Sequence, residues 1–349
     1  MHAREIHPFI TYHAARAAAV RRSGSEYLRF DTQQELKPTM ALTVLVHVPN
    51  AARLATYAEL LPGLLPGARL LFTQTREEAA ACIGDADVIF SWKLPADLFP
   101  QARRLRWVQA MGAGVEDLVA APLPEGCLLT RVEGLFGSYM SEYACLHMLA
   151  HAQKLPAIYA NAAQKQWAPF TIGKLGGKRL GVAGSGSIGM EVIRKGKAFD
   201  MEVWSLVRTV RQVDGADRVF TMAQADEFAA GVDYLVSVLP LTPETTGLVD
   251  PLAMKQGAVL INMGRGATVD EERLMAAARE GRIEAVLDVF ATEPLPESHP
   301  FWSTPGITVT PHLSGPSVPA EVADYFAANF RRFVSGEPLV GVVDRQRGY

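Results

Sequence analysis

Residues 179–200 read RLGVAGSGSIGMEVIRKGKAFD, and the order of residue types in that stretch decides the fold. It opens on a short apolar run, Leu180-Gly181-Val182-Ala183, breaks into Gly184-Ser185-Gly186-Ser187-Ile188-Gly189, and continues as the helix-compatible MEVIRKGKAF. Strand, glycine turn and helix in that order are the context that a dinucleotide fingerprint requires. Gly184 allows the tight turn, Gly186 lets backbone approach a pyrophosphate, and Gly189 lets the helix lie close on the strand. Ser187 and Ile188 complete the loop at the helix start, where unpaired N–H groups face the phosphates. A ligand-free βα turn has the same glycine spacing, so the assignment rests on the flanking strand and helix.

The chain around this unit has 349 residues, a length that suits two domains with a core each. Its hydrophobic fraction of 49% and charged fraction of 20% describe a globular protein with ample core material. A net charge of −3 argues against a nucleic-acid surface or a polybasic membrane anchor. No apolar run approaches membrane-spanning length. Cys82, Cys127 and Cys145 are scattered and lack metal-like spacing, which favours reduced thiols in a cytoplasmic protein with no bound metal.

Residues 1–39 differ from the rest. Arg4, Arg16, Arg21, Arg22 and Arg29 suggest a transit peptide, but Glu5, Glu26, Asp31 and Glu35 dilute that signal. A disordered leader, or a segment translated from a start upstream of a genuine one at Met40, is the expectation, because the strand-like run Leu42 to Val48 begins directly afterwards.

From there strands and helices alternate. Ala51 to Leu61 reads as helix, and Arg69 to Phe72, Asp87 to Trp92 and Leu105 to Ala110 read as strands. Ser138 to Gln153 reads as a connecting helix with Ser141 as N-cap. Beyond the glycine unit, Met201 to Val207, Tyr234 to Leu239, Ala258 to Met263, Ile283 to Val289 and Ile307 to Thr310 are candidate strands. Such a βα series implies an α/β fold with parallel sheets covered on both faces. Ligands in these sheets bind just past the carboxyl ends of the strands.

Three polar residues stand there. Arg265 follows one strand in Gly264-Arg265-Gly266, Glu293 follows the next in Ala291-Thr292-Glu293-Pro294, and His312 follows the last in Pro311-His312. Reduction of a carbonyl by a nicotinamide needs a cation for the substrate carboxylate, an acid to protonate the new alkoxide, and a partner for that acid. The planar fork of Arg265 suits the first role. Imidazole titrates near neutrality, so His312 suits the second, and Glu293 favours its protonated form. Singly, each residue has a structural reading; the catalytic one rests on their joint occurrence after a dinucleotide fingerprint.

The phrases GVAGSGSIG, VLINMGRGATVDEERL, AVLDVFATEPLP and TPHLSG resemble the motifs of the D-isomer-specific 2-hydroxyacid dehydrogenases, and within them the bacterial glyoxylate and hydroxypyruvate reductases. The likeness runs from about residue 40 to residue 338. It implies two Rossmann-like, doubly wound parallel-sheet domains with a cleft between them. Residues 40–137 plus 313–349 then form a discontinuous substrate-binding domain, and residues 138–312 the dinucleotide-binding domain. The resemblance makes Arg265 the substrate-orienting arginine, Glu293 the histidine partner and His312 the acid and base. It places Asp288 at the nicotinamide end, lines the cofactor with Leu239, Pro240 and Thr242 together with Met263, and gives the substrate carboxylate to the amides of Ala113 and Gly114. Trp92 matches an aromatic position at the mouth of the substrate pocket, while a core tryptophan at a strand end is an equal reading. Family members usually pair as homodimers.

Charge bears on the cofactor. An NAD site normally ends its second strand in an acid about 20 residues beyond the glycines. Here that strand runs into Ser205-Leu206-Val207-Arg208-Thr209-Val210-Arg211, with no acid before Asp214. Ser205 and Arg208, with Arg211, therefore favour NADP(H) over NAD(H). The sequence reads as an NADPH-using reductase of a small 2-oxo acid such as glyoxylate or hydroxypyruvate. A larger substrate such as phenylpyruvate, or a nucleotide-sensing corepressor-like scaffold, is the alternative.

Overall fold

The computed structural model describes residues 42–348, so the reading of residues 1–39 lies outside the described residues. In the first half, β1 (Thr43–His47), α1 (Ala51–Leu64), β2 (Arg69–Thr73), α2 (Arg76–Cys82), β3 (Val88–Ser91), β4 (Trp107–Ala110), α3 (Glu116–Val119) and β5 (Leu128–Thr130) follow in order. Their strands form a parallel sheet of order β2-β1-β3-β4-β5. Helix starts are fixed locally: Asn50 accepts the N–H of Arg53 at 3.0 Å, and Thr75 with Glu78 closes a capping box on α2.

Two helices follow, α4 (Gly137–Ala152) and α5 (Leu155–Ala163), and then β6 (Arg179–Ala183), α6 (Ser187–Ala198), β7 (Glu202–Val207), β8 (Arg218–Thr221), α7 (Ala225–Gly231), β9 (Tyr234–Ser237), β10 (Ala258–Asn262), α8 (Glu271–Arg279), β11 (Ile283–Leu287) and β12 (Ile307–Val309). This second parallel sheet has the order β8-β7-β6-β9-β10-β11-β12. The strand order reverses at β6, the topological switch of a doubly wound dinucleotide fold. The first sheet reverses at β1 instead, in the 2-1-3-4-5 order of flavodoxin-like sheets. Both sheets are parallel and doubly wound, as the sequence predicts, with different strand orders.

The last helix, α9 (Pro319–Ser335), returns to the first sheet. Phe326 stacks on Phe90 with ring centroids 4.2 Å apart and tilts against Trp107 at 5.3 Å. Beside this aromatic contact, Asn329 donates to Gln109 at 3.1 Å, and Thr130 donates to the same Gln109 oxygen at 2.8 Å. Buried polar groups are costly unless paired, so this network fixes which face of α9 meets the sheet.

Helix α4 lies along α6, and a Cβ on Gly137 would come within 2.9 Å of the Glu191 side chain. The glycine at the α4 start is therefore a packing requirement. Ser141 is not the N-cap: it sits one turn inside α4, wholly buried, and its hydroxyl donates to the carbonyl of Gly137 at 2.6 Å. Strands β5 and β8 and helices α2, α3, α5, α7 and α8 are not evident from periodicity. Among the described residues no helix is long and apolar enough to cross a membrane.

Candidate active site

The loops after β3, β4, β5, β6, β7, β9, β10, β11 and β12, with Arg53 of α1, line one cleft of about 1270 Å³. Ordinary small-molecule pockets hold about 300–1,000 Å³, so this one has room for a dinucleotide beside a second ligand. The glycine loop forms one wall. Gly184 has φ +97°, open to glycine at little cost, and a Cβ on Gly189 would overlap the Gly184 carbonyl oxygen. A Cβ on Gly186 would meet nothing within 4 Å, which leaves its backbone open to the cleft. Behind them, Gly189, Val192, Ile193 and Gly196 form the buried stripe that seats α6 on the sheet. Open space at the middle glycine and close packing at the third are the arrangement a pyrophosphate needs, so the residues fit a dinucleotide.

At the exit of β7, Arg211 donates to both the carbonyl and the hydroxyl of Ser185 at 2.7 Å, which lays its guanidinium on the glycine loop. Arg208 pairs with Glu244 at 3.0 Å, and both arginines border the cleft. Leu239, Pro240, Thr242 and Met263 line the adjoining wall. Thr245 shapes it, donating to the carbonyl of Pro240 at 2.6 Å and accepting the Thr242 N–H at 2.8 Å.

His312, Glu293 and Arg265 all reach this cleft. Nδ1 of His312 lies 2.7 Å from Oε2 of Glu293. A carboxylate accepts, so Nδ1 carries the proton and Nε2 is the nitrogen left for chemistry. The other carboxylate oxygen of Glu293 accepts the Phe290 N–H at 3.0 Å, which fixes its orientation. Arg265 is aimed by its own loop: Asn262, buried at the end of β10, donates to the Arg265 carbonyl at 3.1 Å and accepts the Gly264 N–H at 3.2 Å. On the opposite wall, a Cβ on Gly114 would overlap Arg265 Nη2, and Ala113 lies beside it. Trp92 is half-buried and borders the cleft, with a Cβ on Gly112 within 2.9 Å of its ring and the Arg53 guanidinium 5.9 Å from its ring centroid.

Residues 145–314 match the family described as D-isomer specific 2-hydroxyacid dehydrogenase, NAD binding domain. The glyoxylate/hydroxypyruvate reductase A of Serratia proteamaculans is 35% identical over 275 residues, which cover 76% of this chain and 88% of that protein.

The chain belongs to the D-isomer specific 2-hydroxyacid dehydrogenase family.

A family protein from Aeromonas salmonicida superposes on this dehydrogenase with a TM-score of 0.80 at 35% identity, covering 88% of this chain and 100% of that one. The NADPH-dependent glyoxylate/hydroxypyruvate reductase of Sinorhizobium meliloti, solved with NADP and sulfate, has a TM-score of 0.80 at 29% identity over the same shares.

Two residues expected at the cofactor stand elsewhere in the dehydrogenase. Ser205 is wholly buried inside β7, opposite Val182, because side chains alternate along a strand and it shares the packed face of Val203 and Val207. Arg211 and Arg208, not Ser205, face the cleft from that strand's exit. Asp288 is also wholly buried and does not line the cleft. Its carboxylate accepts the N–H groups of Leu313 and Ser314, both at 2.9 Å, and the hydroxyl of Thr310 at 2.7 Å. With that hydroxyl proton spent on Asp288, Tyr143 donates to Thr310 at 2.6 Å. Burial pushes the Tyr143 hydroxyl well up, so it remains a neutral donor. Asp288 thus holds the loop of His312, whose backbone sits at φ +49° and donates to the Asp288 carbonyl at 3.0 Å.

Sequence reasoning passed over Glu116, whose carboxylate meets Arg265 at 2.8 Å from the other wall. Its one signal was an acid in MGAGVED, directly after the loop already singled out. Among the described residues no group of three or more His, Cys, Asp or Glu stands together to hold a metal ion.

Proposed function

We propose that this dehydrogenase reduces a small 2-oxo acid, of the glyoxylate or hydroxypyruvate type, to the D-2-hydroxy acid at the expense of NADPH. The observation that carries the reading is the His312–Glu293 pair, 2.7 Å apart, in the same cleft as Arg265 and the glycine loop. The names of the reductases from Serratia proteamaculans and Sinorhizobium meliloti point to the same substrates.

In this reading the lobe built on β6–β12 holds the dinucleotide and the lobe built on β1–β5 with α9 holds the substrate. The N–H groups at the start of α6 take the pyrophosphate, and Arg211 with Arg208 favours a 2′-phosphate at the β7 exit, where an acid would repel it. Bound NADPH supplies the hydride. Arg265 holds the substrate carboxylate and polarises its carbonyl, Gly114 and Ala113 present backbone amides beside it, and Trp92 limits the size of the substrate side chain. His312 delivers the Nε2 proton to the forming alkoxide while Glu293, on Nδ1, stabilises the ring and its tautomer.

Pairing of two copies belongs to the same proposal. Tyr159 of α5 is 65% exposed, Trp167 just beyond it 98% and Leu146 of α4 57%, an apolar face that suits a second copy of this chain. Sedimentation equilibrium reads it: a dimer is expected, and a monomer at micromolar concentration sinks this part of the proposal.

Steady-state turnover with glyoxylate, hydroxypyruvate and phenylpyruvate, each with NADPH and NADH, tests the function. The expected result is turnover of the smaller acids with NADPH preferred. Binding of the dinucleotide without oxidation on any of them would instead support a nucleotide-sensing scaffold.

A further inference from the structure

The protein engages the Arg265 guanidinium on two of its edges. Nε donates to Oε1 of Glu116 at 2.8 Å and Nη2 lies 3.5 Å from Oε2, so Glu116 takes the side edge. Nη1 donates to the Gly264 carbonyl at 2.7 Å. A guanidinium has five N–H donors in a rigid plane, and these contacts leave the end edge, with an N–H from each of Nη1 and Nη2. Among the described residues no protein acceptor takes that edge. It is a bidentate fork of the kind that matches a carboxylate.

The two partners come from opposite walls. Glu116 opens α3 in the lobe of β1–β5, whereas Arg265 follows β10, and 149 residues separate them. Gly114 closes the arrangement, since a Cβ there would overlap Nη2; the guanidinium is confined between that backbone and the carboxylate. Burial pushes the Glu116 carboxyl up, but the Arg265 charge, its hydrogen bond and the N–H groups of Glu116 and Val115 outweigh burial and hold it below the usual carboxylate range. Glu116 is therefore an anion at neutral pH. An arginine side chain has several freely rotating bonds, so without a partner the guanidinium samples many orientations in a cleft this wide.

We propose that Glu116 is a positioning residue for the reduction: from the far side of the cleft it fixes the Arg265 guanidinium so that only the end edge meets the substrate, and it makes that alignment depend on the two lobes standing close. The proposal rests on the reductase reading of the site. It differs from a merely structural ion pair in what its loss does. A structural pair affects stability and every bound state alike; a positioning pair affects the transition state selectively.

The test compares wild type with Glu116→Ala and Glu116→Gln, using the better small 2-oxo acid and NADPH. Glu116→Ala is expected to lower kcat about 10–100-fold with the NADPH dissociation constant unchanged, the scale of an ångström-sized misplacement. Glu116→Gln keeps an acceptor for Nε and is expected to recover part of the loss. If Glu116→Ala keeps kcat within about twofold, or raises KM alone, the proposal is overturned. A wild-type chain that turns over no 2-oxo acid sinks the reductase reading instead, and the positioning claim is then read by NMR. The Arg265 Nε resonance, assigned by its loss in Arg265→Lys, is expected to be set apart in wild type and to merge with the solvent-averaged arginines in Glu116→Ala. The same position in both proteins overturns the claim.

Discussion

The imidazole of His312 and the carboxylate of Glu293 are joined through Nδ1 and Oε2 at 2.7 Å, and the Phe290 N–H holds the second carboxylate oxygen at 3.0 Å. One side of the ring is thereby committed to the protein and the other is left for the substrate. Replacing Glu293 by Gln presents an amide where Nδ1–H now donates, which disfavours the working tautomer. Glu293→Gln is expected to lower kcat by about 10²-fold or more, in the range of general acid–base effects, with NADPH affinity retained. Steady-state kinetics beside fluorescence titration read both; an unchanged kcat would remove Glu293 from the site.

The glycine loop separates fold from ligand. Gly189→Ala drives a Cβ into the Gly184 carbonyl oxygen and is expected to destabilise by about 1–3 kcal/mol, the usual cost of overpacking. Gly186→Ala meets only open space and is expected to leave the melting temperature alone while weakening NADPH binding. Thermal melts with and without the dinucleotide separate the two, and equal affinity in Gly186→Ala and wild type would contradict a pyrophosphate at that loop.

Much of this site was legible in the sequence because it follows from strand ends. The run Leu180 to Gly189 carries its own chemistry, and Arg265, Glu293 and His312 each stand just past a recognisable apolar run. Ser205 misled because β7 is packed on both faces, Val203 and Val207 on one and Trp204 and Leu206 on the other, which encloses its hydroxyl inside the strand. Asp288 misled because its loop-holding partners, Thr310, Leu313 and Ser314, lie more than 20 residues further on, beyond β12, and meet it only through the pairing of β12 with β11. Glu116 was out of reach because its partner lies on the other sheet. β5 has only three residues, and β8 is an edge strand that begins with an exposed arginine, so neither has a pattern above background.

Asp288 anchors three donors in a site without solvent access. Asp288→Ala strands them, at about 1–3 kcal/mol for each buried group left unsatisfied, and frees the loop of His312. A melting temperature lower by several degrees together with a lower kcat is expected. A melt within a degree of wild type would mean that the loop does not depend on this carboxylate.

Acid weakens the second sheet through Asp233. Burial pushes its carboxyl up, but the Arg179 N–H at 2.7 Å and the Lys255 ammonium at 2.8 Å, with Lys178 beyond, prevail and hold it below the usual value of 3.8. A folded-state pKa below the unfolded one contributes stability above the unfolded value, lost as pH falls through the folded one. Asp233→Asn is therefore expected to melt lower than wild type at pH 7, with the gap closing below about pH 4. A gap independent of pH would show that charge at Asp233 is not what holds β6 there.

Protonation by His312 of a 2-oxo acid reduced in this cleft is read by the single-turnover rate of nicotinamide oxidation in wild type and His312→Asn, with NADPH saturating and glyoxylate or hydroxypyruvate added. A wild-type rate about 10²–10⁴ times that of the variant is expected at equal dinucleotide occupancy. Equal rates in the two proteins would contradict it.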